Sequence, residues 1–154
     1  MSRTAPSSVR ARKNLVLAGD IALAVIVLCI PFLFVARGIA LALWALSALA
    51  FSLIIVRLRN TIGALDMAAT TMDEYQLTQH MEARNDGLRA ANILALILFI
   101  AGGVTVFFTT TKPILNAADL AHMLMVYAYL MLLAPSFVVA RSIAGKLNRD
   151  ELAP

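Results

Sequence analysis

The chain has 154 residues, a length that suits one domain. Hydrophobic residues make up 61% and charged residues 14%, against about 45–50% and about 25% in soluble globular domains. So much apolar surface excludes an ordinary water-soluble globule, and a net charge of +4 does not imply nucleic acid: the basic residues stand beside apolar segments and are not interleaved with aromatics as a nucleic-acid platform requires.

Residues 1–13 carry Arg3, Arg10, Arg12 and Lys13 with Pro6, Ser7 and Ser8, and read as a disordered basic segment. A first apolar run follows over 14–36, interrupted by Asp20, and a second covers 38–56 without a charge. The third covers 90–111, also uncharged, and the fourth 119–140, where His122 is the ionisable group besides Asp119 and two tyrosines. Each approaches the roughly 20 residues that a helix needs to cross ~30 Å of hydrocarbon. A backbone in lipid must satisfy its own hydrogen bonds, so these are helices. The first run has a basic start like a signal peptide, but no small-x-small cleavage site follows its long apolar core, which predicts an uncleaved span. Cys29, the single cysteine, lies within it and rules out an intrachain disulfide.

The outer connections are short: a tight turn around Arg37–Gly38, and 109–118, where Pro113 stops the third helix. Asn116 is placed to cap the fourth, with Asp119 three residues later. The segment 57–89 is too polar to span. Leu58, Ile62, Leu65 and Ala69 continue the helical spacing of span two, and Thr71 with Glu74 has the form of a capping box for a new helix. Leu77, Met81 and Leu88 carry a sparse apolar stripe towards span three, through a Gly87 that weakens the helix by about 1 kcal/mol. The expectation is an all-α polytopic protein with one membrane domain over 14–140. It forms a four-helix transmembrane bundle whose helices 2 and 3 extend into a cytoplasmic helical hairpin over 57–89. Residues 141–154 follow as a short basic tail.

Direction comes from charge. Eleven of the 13 Lys and Arg precede span one, lie between spans two and three, or follow span four, leaving Arg37 and Lys112 on the other side. The positive-inside rule places those eleven, both termini and the hairpin in the cytoplasm, and the expected location is the cell membrane.

Few residues offer chemistry. A carboxylate at Asp20, about 10 Å into span one, is costly in lipid and can mark an ion or proton path. Equally, it can fix bundle register by pairing with Arg57, Arg89 or Arg141 at the same level. Asp119 and His122 lie one turn apart near the outer face, and Met125 and Tyr129 continue that side. A soft metal ion could use His and Met, but the ligands are too few and Asp119 suits a first-turn acid, so neither metal nor cofactor is expected. Tyr129 needs a hydroxyl partner inside the bundle. Glu82 and Asp86, four apart near His80, fit a solvated face better than a cation site. Leu65, Met72, Leu77 and Met81 form a possible docking face on the hairpin. No phosphate loop, zinc-protease helix or serine elbow occurs, and no enzyme is expected.

Four short spans with an acid in the first resemble the small multidrug resistance transporters. The inner-end position of Asp20 and the long 57–89 segment depart from that pattern, and no functional residue carries over. The sequence-level reading is a non-enzymatic interaction or accessory subunit, as a homo-oligomer or within a larger membrane complex. Its rival is a small dimeric ion- or proton-coupled transporter using Asp20.

Overall fold

A computed structural model describes residues 7–33, 35–62, 74–111 and 116–152, with the side chains of 76 and 108–111 left aside. It is all-helical. Helix α1 spans Ser7–Phe32, α2 Arg37–Ile62, α3 Glu74–Thr111 and α4 Ala117–Leu152. All four are long and apolar enough to cross a membrane, the pattern of a multi-pass membrane protein.

Three boundaries differ from the sequence expectation. Helix α1 starts at Ser7, inside the segment expected to be disordered, because Val9 and Arg12 are buried against the bundle. Helix α4 does not stop near Ala140. It runs unbroken to Leu152, since Ile143, Ala144 and Leu147 continue the i, i+3/i+4 spacing of Phe137 and Ala140 and join the same core. The first turn falls before Arg37 and Gly38, which are already helical. The Ala36 amide donates to the Phe32 carbonyl (2.9 Å), and Pro31 occupies the last turn of α1.

At 1.5 Å per residue, the 38 residues of α3 and the 36 of α4 measure about 57 and 54 Å, well beyond ~30 Å of hydrocarbon. Their excess lies at the basic end, where α1 begins and α2 ends. The polar stretch of α3 there packs on α4: Lys146 Nζ donates to Glu82 (2.5 Å) and to the Gln79 carbonyl (3.2 Å), and Ser142 donates to Asp86 (2.9 Å). The neighbour of this stretch is therefore α4, where the sequence suggested the continuation of α2. Leu65, Ala69, Thr71 and Met72, on which the turn of a hairpin would fall, lie outside the described residues.

The core is shared unequally. Ala22 and Ile26 of α1, Phe51, Ile55, Leu58 and Ile62 of α2, and a ridge of α4 from Val126 to Ala144 interlock, with Phe51 and Phe137 rings 5.2 Å apart. Gly19 sits directly under the Phe137 ring, which a Cβ there would strike. Lipid offers apolar side chains as good a solvent as a protein core does, so close shape fit rather than water exclusion joins these helices. Among the described side chains of α3, only Ala83 and Gly87 are buried.

Candidate functional site

The bundle carries three polar layers and one helix, α3, whose most apolar stretch has no buried residue. At the basic end, α1 and α4 are tied together. Arg12 is 4% exposed and pairs with Glu151, which also accepts a hydrogen bond from Ser8 (2.8 Å). One step deeper, Arg141 Nη1 meets Asp20 Oδ1 at 2.6 Å. Of the three arginines proposed as partners for Asp20, Arg141 is the one that reaches it, while Arg57 and Arg89 stay exposed. Glu82 and Asp86 face Lys146 and Ser142, so they fasten α3 to α4.

The middle layer belongs to Tyr129. Its hydroxyl lies 2.5 Å from the Ala48 carbonyl and 2.9 Å from the Ser52 hydroxyl, so both partners come from α2. At the far end, Asn116 caps α4: its Oδ1 accepts the Asp119 amide (2.9 Å), and Asp119 Oδ2 accepts the Asn116 amide (3.3 Å). Arg37, the first residue of α2, pairs with Asp119 at 2.7 Å and donates to Asn116, joining the start of α2 to the start of α4.

One turn further along α4, His122 is buried and stacks edge-on with Trp44, ring centroids 5.1 Å apart. His122 Nε2 and Trp44 Nε1 meet no hydrogen-bond partner among the described residues. A cavity of about 370 Å³ opens beside His122, which lines it with Leu33, Arg37, Leu41, Asp119 and Met125. Asp119 and His122 thus share this cavity while Tyr129 serves another layer. Among the described residues no three His, Cys, Asp or Glu side chains converge as a metal site would need.

Of the docking face, Leu77 and Met81 are exposed at 36% and 65%, and Leu65 and Met72 lie outside the described residues. The larger feature was not apparent from the sequence. No part of the most apolar 18-residue window of α3 is buried, whereas every other helix buries a share of its own. Leu96, Phe99 and Ile100 project outwards, and a Cβ added at Gly102 or Gly103 would meet nothing within 4 Å. Hydropathy alone cannot tell a helix packed on its neighbours from one surrounded by lipid, because both are apolar. The contributions of buried Arg12 and Asn148 and of half-buried Lys146 were equally hidden, since each reads as a surface polar residue until α4 is known to continue past Ala140.

The chain matches no protein-family model, no curated protein and no solved structure.

Proposed function

We propose that this chain is a non-enzymatic interaction subunit of the cell membrane, with both termini cytoplasmic, that assembles with a second copy of itself through α3. The observation that carries this reading is the apolar stretch of α3, in which no residue is buried although Leu94 packs against the shared core and polar contacts fasten its basic end to α4. The eleven-to-two division of Lys and Arg supports the orientation, placing the long ends of α1, α3 and α4 on the cytoplasmic side. Gly102 and Gly103 let a second backbone approach closely. Two copies inserted in the same direction bring these glycines together at one depth, so the contact closes on itself about a two-fold axis. Cytoplasmic docking of a further partner has Leu77 and Met81 available.

The test is a Gly103→Cys variant oxidised in native membranes. Cys29 is 4% exposed, so the added thiol is the accessible one. Disulfide-linked dimers are expected, and Gly103→Leu is expected to shift the purified protein from dimer to monomer in native mass spectrometry. A wild-type protein that is monomeric in the membrane and gives no cross-link would sink the reading.

The transporter alternative rests on Asp20. Its pairing with Arg141, both side chains partly exposed at the basic end, supports a role in bundle register rather than in carrying a proton across.

A further inference from the structure

Between the start of α1 and the end of α4 lies an open groove of about 460 Å³, to which neither α2 nor α3 contributes. From α1 it is lined by Lys13, Val16, Leu17 and Asp20; from α4 by Arg141, Gly145, Asn148 and Arg149. Three cations thus face one carboxylate, and Arg141 already satisfies that carboxylate. The remaining excess of positive charge lies where the apolar run of α1 begins, and a helix that crosses a bilayer meets the phospholipid headgroups at such a boundary.

One detail narrows the ligand. Above the groove, Leu17, Ile21 and Leu28 form one outward apolar face of α1, exposed at 60%, 57% and 59%. That face continues from the charged opening into the hydrocarbon, as the track for an acyl chain would. Gly145 forms part of the groove wall, and nothing lies within 4 Å of where its Cβ would be.

We propose that this groove binds one anionic glycerophospholipid. Lys13 and Arg149 hold the phosphate, and Leu17 and Ile21 carry the acyl chain. Basic pockets at the cytoplasmic surface of helix bundles attract anionic lipids through the same electrostatics.

The experiment is native mass spectrometry of the full chain, delipidated in mild detergent and titrated in parallel with dioleoyl phosphatidylglycerol, phosphatidylethanolamine and phosphatidylcholine. One phosphatidylglycerol per chain is expected, retained at least tenfold better than the two zwitterionic lipids. Gly145→Leu projects a side chain into the groove from a position where a Cβ meets nothing within 4 Å, and Lys13→Gln with Arg149→Gln removes the two lining cations other than Arg141. Each is expected to lower retention at least tenfold while the melting temperature stays at the wild-type value. Should Gly145→Leu lower that temperature, the charge variant decides alone. Equal retention of the three lipids, or retention unchanged in the charge variant, would overturn the proposal. Displacement of the lipid by millimolar glycerol 1-phosphate would overturn the lipid assignment in favour of a soluble phosphate ester.

Discussion

The two sides of α4 are built differently. Towards α1 and α2 it presents Val126, Leu130, Phe137, Ala140 and Ala144, interlocked with Phe51 and Ile26 and completed by the cleft that Gly19 leaves for the Phe137 ring. Towards α3 it presents Ser142, Lys146 and Val139, which meet Asp86, Glu82 and Gly87 over a short stretch at the basic end. One face is joined by large side chains along its length, the other by polar contacts, one close backbone approach and the smaller apolar contributions of Ala83 and Leu94. Where every exterior is apolar, a helix belongs to the core because its shape fits, not because it is hydrophobic. By that criterion α1, α2 and α4 supply most of the buried core, and α3 adds Ala83 and Leu94 to it along its contact with α4. That difference leaves most of the apolar surface of α3 outside the core.

The largest effects should come from the first face. Phe137→Ala removes a side chain that is 1% exposed and touches rings and aliphatics from α1 and α2. It is expected to cost about 3 kcal/mol, as large buried aromatics do when truncated, and to lower the thermal unfolding temperature measured in detergent. Gly87→Val, in contrast, drives a side chain into Val139 across the α3–α4 contact. Its expected effect is looser protection of α3 in hydrogen exchange while α1, α2 and α4 keep theirs. Global unfolding by Gly87→Val on the scale of Phe137→Ala would break the comparison, because α3 would then be as much a part of the core as α1.

A middle-sized effect sharpens the same contrast. Lys146 is 14% exposed in its side chain and holds both Glu82 and the Gln79 carbonyl. Lys146→Met keeps the aliphatic stem and removes the donor. We expect about 1 kcal/mol of local destabilisation, because Glu82 is 64% exposed and solvent screens the pair, read as faster exchange over residues 77–88 with the exchange of Phe51 and Ile55 unchanged.

The four spans were legible in the sequence because lipid imposes length and apolarity on any helix that crosses it. The Asn116–Asp119 cap was legible too, since its chemistry is local: three residues settle it. The pairing of elements was not. Leu58 and Ile62 pointed to a continuation of α2, and both are buried, but nothing in a periodic apolar stripe says which helix it meets. The α3 extension went to α4 because Lys146 and Ser142 stand opposite Glu82 and Asp86, a match between residues 56–64 positions apart. The ends of α1 and α4 were misjudged for a related reason. Arg12 and Glu151 look like solvated termini separately, and only their pairing across 139 positions makes them part of the bundle.

The smallest effect is expected at the residue that drew most attention in the sequence. Asp20 and Arg141 make a short contact, yet their side chains are 35% and 54% exposed. Exposed ion pairs contribute about 0–1 kcal/mol, because solvent screens the attraction and ordering two long side chains costs entropy. Asp20→Asn keeps the shape and a hydrogen-bond acceptor for Arg141. Its unfolding temperature should therefore fall by less than that of Lys146→Met, and the dimer expected through α3 should persist, since α1 takes no part in that contact. Reconstituted vesicles supply the opposing measurement. If the wild-type protein moves protons or a cation across them and Asp20→Asn abolishes that movement with the fold intact, Asp20 serves transport, and the interaction-subunit reading gives way to the transporter.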